Sequence, residues 1–183
     1  DQEGTYRQQL SNAESSVESI VDILTSGYEV GITHGNGPQV GSILLQNKEA
    51  AAEAPEMPLF ACGAQSQGLI GFMLQSALMD EFEARGLERR AVPFVTPVVV
   101  DGDSDAFGDP TKPIGQFYSE EEARELMETQ DIEMIEDSGR GWRRVVPSPE
   151  PEEIYGVETI RKALEQGNVP IAAGGGGVPV VHS

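Results

Sequence analysis

The sequence predicts an α/β protein: a mainly parallel sheet covered by helices on both faces, with a smaller subdomain inserted after it. Three observations carry this. Segments with helical apolar spacing alternate with short apolar, β-branched runs. Two of those runs lead straight into glycine-rich turns, at the strand ends where open α/β sheets hold ligands. Between Asp101 and Pro151 the pattern changes to short strand candidates, turns and one acidic helix. The chain has 183 residues, enough for one domain of ordinary size, and its 38% hydrophobic content is lean without being that of a disordered chain.

The elements follow in order. Leu10, Val17, Ile20, Val21 and Leu24 recur at helical spacing over residues 5–26, and Gly27 stops the helix. Residues 28–33 predict a short strand running into His34-Gly35-Asn36-Gly37-Pro38. Residues 40–54 predict a helix with Val40, Leu44, Leu45 and Ala51 on one side, broken by Pro55 and Pro58. Residues 69–85 predict another helix, stopped by Gly86, and residues 91–100 a single buried strand. In the insertion, residues 111–118, 132–136 and 142–146 predict a small sheet. Ser119 and Glu122 form a capping box that starts the acidic helix. Pro147, Pro149 and Pro151 predict a hinge back to the main body. Residues 152–166 predict a helix and residues 169–173 a buried strand, followed by Gly174 to Gly177. Nothing repeats. The expected division is 1–100, an inserted subdomain 101–151, and a return to the main sheet over 152–183.

Charge narrows the partners. Thirty-one acidic against 12 basic residues give a net charge of −19, which argues against nucleic acid and against a polybasic membrane contact. No basic-then-apolar signal opens the chain, and no run approaches the roughly 20 apolar residues that span a bilayer. The single cysteine, Cys62, has no intrachain disulfide partner; it reads as a small buried residue of a cytoplasmic protein. Only Lys48, Lys112 and Lys162 are lysines. That composition fits an ordinary acidic cytoplasmic protein, or a halophile's protein whose carboxylate surface needs salt to screen its self-repulsion. On the halophilic reading, the melting temperature should rise between about 0.1 M and about 2 M KCl, as the Debye length shrinks from roughly 10 Å to below 3 Å. A thermal melt that is flat or falls over that range would count against it.

Four segments are candidates for chemistry. In the first, Gly35 and Gly37 let the backbone approach an anion, the next helix offers free N–H groups, and Asn36 carries an amide that can donate to a phosphate or carbamoyl oxygen. The same residues also suit a plain strand-to-helix turn, and His34 reads as structural. In the second, Gly174, Gly175, Gly176 and Gly177 follow an apolar strand and leave the backbone free to wrap a phosphate, or form a flexible loop. In the third, Lys112 is held beside Pro113 and the Pro110 turn; its restricted backbone aims a compact ammonium suited to a phosphate, or leaves a surface lysine in a rigid turn. In the fourth, Gly139-Arg140-Gly141-Trp142-Arg143-Arg144 either clamps an anion or, the better reading, pairs with nearby carboxylates. Neither glycine turn is a nucleotide signature by itself. Two histidines and one cysteine make no zinc site of the usual kind, and no serine sits in a nucleophile elbow.

Residues 33–41 (Thr-His-Gly-Asn-Gly-Pro-Gln-Val-Gly), Pro110 to Gly115, Gly139 to Pro149 and Gly174 to Pro179 together resemble the carbamate kinases of the amino acid kinase family. The match runs in order along nearly the whole chain and includes Gln67-Gly68 and Ile70-Gly71. The Thr-Lys-Pro-Ile-Gly and Gly-Arg-Gly-Trp-Arg segments set carbamate kinases apart from the acetylglutamate, aspartate and uridylate kinases. The resemblance implies a three-layer αβα sandwich and reversible phosphoryl transfer between ATP and carbamate, with Mg²⁺. Its usual direction, in arginine fermentation, makes ATP from carbamoyl phosphate. It implies Lys112 as the catalytic cation, and Gly35, Asn36, Gly37, Gly174, Gly175 and Gly176 as substrate-binding. It also implies a homodimer.

The family's opening Gly-Gly-Asn strand and its nucleotide-binding half have no counterpart in these 183 residues. The expectation is a fragment that holds much of the carbamoyl-phosphate side, with the ATP/ADP site largely outside it. By itself the segment is then expected not to form ATP from ADP and carbamoyl phosphate. Two rivals stay open: a non-catalytic substrate-binding or dimerising module, and a family member acting on another carbamoyl-type acid.

Overall fold

The computed structural model describes residues 4–130 and 132–182. Helix α1, Tyr6–Thr25, starts where Thr5 accepts a hydrogen bond from the Gln8 backbone N–H at 3.3 Å. It turns Val17, Val21 and Leu24 inward. Helix α2 spans Gly37–Glu49, displaced toward the N-terminus from the expected 40–54, with Pro38 preset in its first turn. Helix α3, Leu59–Ala84, begins ten residues before the expected 69. Gly63 and Gly68 carry no side chain, so they blur the apolar spacing of its first turns. Ile70, Met73, Leu74, Ala77, Leu78 and Phe82 of α3 meet the buried face of α1 and form the main core with Ala91, Val169 and Ile171. Each large side chain buried there stabilises the fold by about 1.5–3 kcal/mol.

The expected single strand 91–100 is two. Strand β1, Ala91–Pro93, and strand β2, Pro97–Val100, have different partners. β1 runs parallel to β7, Val169–Ile171. β2 runs parallel to β8, Val178–Val180, and antiparallel to β6, Pro151–Ile154. The break has a cause in the neighbouring strands: β7 and β8 are separated by a 3-10 turn at Gly174–Gly176, which interrupts the ladder opposite Phe94 to Thr96. β6 and β8 were not expected. β6 takes the first residues of the expected helix 152–166 because the free edge of β2 pairs with them; Gly156, in left-handed conformation, then starts α5, Val157–Glu165.

Residues 28–33 form no strand. Only Ile32 bridges to Ile171, with its N–H on the Pro170 carbonyl and its carbonyl taking the Ala172 N–H. The preceding parallel rung, at Val30, would need an N–H from Pro170, which has none, so the ladder does not extend back through residues 28–31.

The strands and helix between Lys112 and Val146 form as their pattern predicts. Strands β3, Lys112–Tyr118, β5, Trp142–Val146, and β4, Glu133–Glu136, form an antiparallel sheet in the order β3-β5-β4. Helix α4, Glu120–Thr129, opens with both halves of the Ser119/Glu122 capping box, and the Ser119 bonds hold the Glu122 carboxyl below its usual range. This sheet docks on α2 at Gly41, whose backbone lies against that of Gly115. The whole is an α/β fold, and among the described residues no helix is long and apolar enough to cross a membrane.

Candidate active site

Both glycine turns and Lys112 meet at one cavity of about 260 Å³. The Ile32 bridge brings the first turn alongside β7, and the second turn emerges from β7 itself. The Gly175 N–H then donates to the His34 carbonyl at 2.8 Å, fixing one turn on the other. The contact is intimate. A methyl group on Gly174 would fall 2.3 Å from the His34 ring, and one on Gly175 would fall 2.2 Å from the Asn36 side chain. Only glycine fits at either place, and Gly175 also has a φ of +64°.

Lys112 reaches the site from β3. Its ammonium donates to the Gly175 carbonyl at 2.5 Å. Burial holds its pKa below the ordinary lysine value, and among the described residues no carboxylate pairs with it. An ammonium has three donors, and Gly175 takes one. In a low-dielectric pocket an unpaired cation attracts an oxyanion strongly.

The expected site residues do not all share this place. Asn36, Gly175 and Lys112 line the cavity, and Gly176 stands 3.7 Å from the Lys112 Nζ, measured from where its Cβ would be. Gly37 opens α2 next to the Arg143 guanidinium and the Pro113 carbonyl. Gly174 packs under His34. Gly35 lies in a separate shallow cleft with Gln9, Gln39 and His34. The Arg140 and Arg143 guanidiniums pair with Asp137 and flank the Phe117 ring, so this part of the basic segment pairs with carboxylate as expected. Arg143 holds the Asp137 carboxyl below its usual range.

Sequence reasoning missed the supports. Asn36 donates to the Ser66 hydroxyl at 2.7 Å, and Ser66 donates to the Gly63 carbonyl. That bond leaves the α2 start without a side-chain cap. Gln67 donates to the Gly174 carbonyl at 2.7 Å and accepts the Thr96 N–H at 2.8 Å; the Thr96 hydroxyl takes the Ala173 N–H at 2.9 Å. Ser66, Gln67 and Thr96 are all buried. The signal for Ser66 and Gln67 was polar residues on the core face of an apolar helix, and for Thr96 a lone hydroxyl inside an apolar run. The apolar walls Phe60 and Phe107 were missed as well, and Gly177, part of the glycine segment but not among the expected binding residues, lines the cavity with a methyl site 2.3 Å from Val98. Gln67→Leu should destabilise the fold by about 1–3 kcal/mol for each buried group left unpaired, the Thr96 N–H and the Gly174 carbonyl. A thermal or urea melt checks it, and an unchanged midpoint would remove Gln67 from the support of the glycine turn.

An ammonium, an amide and glycine backbone suit phosphoryl and carbamoyl oxygens. The residues lining this cavity include no carboxylate, so by themselves they do not fit Mg²⁺. Among the described residues no group of three or more His, Cys, Asp or Glu is placed to hold a metal ion.

Comparison with known proteins adds a family. Residues 4–183 match the model of the amino acid kinase family. The chain is 48% identical over 182 residues to a carbamate kinase of Pyrococcus furiosus, covering 98% of this chain and 58% of that protein. It is 47% identical over 176 residues to one of Staphylococcus haemolyticus, covering 95% and 57%. A carbamate kinase from Giardia lamblia bound to citric acid superposes with a TM-score of 0.95 at 43% identity, over 100% of this chain and 59% of that one. The same protein bound to AMP-PNP gives 0.82. The chain thus spans a little under three-fifths of the length of these relatives.

Proposed function

Because the chain belongs to the amino acid kinase family, we propose that it is the carbamoyl-phosphate side of a carbamate kinase, exchanging a phosphoryl group reversibly between ATP and carbamate. The observation that carries this reading is the convergence of Lys112, Asn36 and the Gly175 backbone on one cavity. Phosphoryl transfer needs in-line positioning and charge neutralisation, and little covalent chemistry from the protein. In the proposed site the Lys112 ammonium draws charge off the transferring group. The Asn36 amide orients the carbamoyl end. Gly175 and Gly176 let the backbone close on the substrate, with Gly35, Gly37 and Gly174 shaping the two turns. ATP and Mg²⁺ enter as the family's reactants, and the Giardia relative bound to AMP-PNP supports the nucleotide. The insertion 101–151 is proposed as the subdomain that carries Lys112 over the site, between the sheet segments 1–100 and 152–183. A cytoplasmic homodimer, ATP-forming in arginine breakdown and salt-adapted, completes the reading.

The test uses the protein that carries this chain at full length. ADP with carbamoyl phosphate should yield ATP, and acetyl phosphate should serve far less well. No ATP from carbamoyl phosphate, with brisk turnover of another acyl phosphate, would assign a different acid.

A further inference from the structure

The structure assigns a second binding site: we propose that the cavity beneath the small sheet holds a small organic anion, its carboxylate or phosphate head on Arg144 and its apolar body against β3, β4 and α4. This cavity, of about 530 Å³, lies between α2, α4 and the inner face of the sheet. Its size is ordinary for a small-molecule site. Arg144 is the residue of the basic segment that the Asp137 pairs leave over. In register it stands between Ile114 and Met134, both buried, so its stem crosses apolar ground. Its Nε is buried with no hydrogen-bond partner, and among the described residues no carboxylate lies within 4.0 Å. Burial lowers its pKa. Five other arginines, at 85, 124, 140, 143 and 161, do have carboxylate partners. Arg89, also partly buried and without a carboxylate, donates to the Gly167 carbonyl; Arg144 stands out because its buried Nε has neither a carboxylate nor any other partner among the described residues. Removing a charge from water without a counter-charge costs stability, and a bound anion supplies that counter-charge.

The far wall adds a second cation. Lys48 lines the cavity, held by the Gln130 side chain at 2.9 Å. Glu49 and Glu56 also border it, but both are exposed, where water and salt screen them. Leu126, Met134 and Ile114 give the apolar half. A bare inorganic ion would leave that half unused, so an anion with a short hydrocarbon body fits better. Ile114 is 3% exposed and lines both this cavity and the one at Lys112, so it is the partition between them. The two sites are neighbours and distinct, and the proposal does not rest on the kinase reading.

Trp142 is the only tryptophan and sits in β5 two residues before Arg144, so its fluorescence reports on this strand. Butyl phosphate and pentanoate are titrated separately, which distinguishes the two head groups, with inorganic phosphate and butanol as head-only and body-only controls; calorimetry runs alongside. At least one of the two amphipathic anions should bind saturably, about tenfold or more tighter than either control, with Arg144→Gln weakening it about tenfold or more and Arg144→Lys less. Lys112→Ala should leave binding intact. Leu126→Phe, which fills the apolar half, should weaken binding too, and serves if Arg144→Gln does not fold. No saturable signal with either anion in the wild type overturns the proposal. So does binding that Lys112→Ala abolishes and Arg144→Gln or Leu126→Phe leaves unchanged, because the probe then sits in the neighbouring cavity.

Discussion

If the proposed phosphoryl transfer holds, Lys112→Ala in the full-length protein is expected to lower kcat and kcat/KM together by about 10²–10³-fold, the usual loss when one preorganised charge-stabilising group is removed. The ammonium is half-buried, has no carboxylate partner among the described residues and bonds the Gly175 carbonyl. Its attraction is therefore available to a group whose negative charge is redistributed during transfer. Stability should move the other way or hardly at all. A lysine whose pKa is lowered in the fold costs stability while it is charged, and that cost is relieved as the pH rises through the lowered value toward the unfolded one. Replacing it with alanine removes the cost along with one hydrogen bond. Activity has the opposite sign: it needs the charged form, so turnover should fall on the alkaline side before the ordinary lysine range is reached. Lys112→Arg should recover part of the rate and push that alkaline limb upward, because a guanidinium keeps its charge. Steady-state kinetics in both directions across pH, beside a thermal melt, check this. Near-normal turnover in Lys112→Ala would remove the residue from the chemistry, and a collapsed melt with proportionate loss of activity would make it structural.

Gly41→Ala is expected to be the most damaging single methyl group. Its Cβ would stand 2.0 Å from the Gly115 Cα and 2.5 Å from the Gly115 nitrogen. Both neighbours are backbone, so no rotamer change relieves the overlap; α2 and β3 must separate. Overpacking of this kind costs about 1–3 kcal/mol and sometimes more, and the upper end is expected here. The same separation moves Lys112, three residues before Gly115 on β3. A shift of about 1 Å in a reacting geometry costs about 10²-fold in rate. Gly35→Ala is the control, since nothing lies within 4 Å of its Cβ site and its φ is not positive. Its melt should stay within about 0.5 kcal/mol of the wild type. Equal effects of the two substitutions would show that α2 and the small sheet are not tightly docked in solution.

Much of this was legible in the sequence because it is local. Apolar spacing placed α1, the Ser119/Glu122 box placed α4, and the three short apolar runs of the insertion placed its sheet. Lys112 stood out because lysines are scarce and prolines flank its turn, and the two glycine turns stood out by composition and position. Those properties belong to neighbouring residues and need no partner to be read.

What the tertiary structure decided depends on atoms far apart in the chain. Residues 28–33 have the composition of a strand, yet Pro170, about 140 residues away, lacks the N–H that would extend the ladder. Residues 91–100 read as one strand, but the glycine turn between the paired strands divides them between β7 and β8. Ser66, Gln67 and Thr96 look like ordinary polar residues until Asn36, Gly174 and Ala173 are brought to them as partners. Arg143 and Arg144 are adjacent and alike in sequence; strand alternation sends one to Asp137 and the other into the cavity beneath the sheet. The sequence by itself determined the kind of elements and which residues could carry charge or yield backbone space. The partner of each hydrogen bond and ion pair was settled only by the packed chain, because a pairing is a property of two positions and the fold alone sets the distance between them.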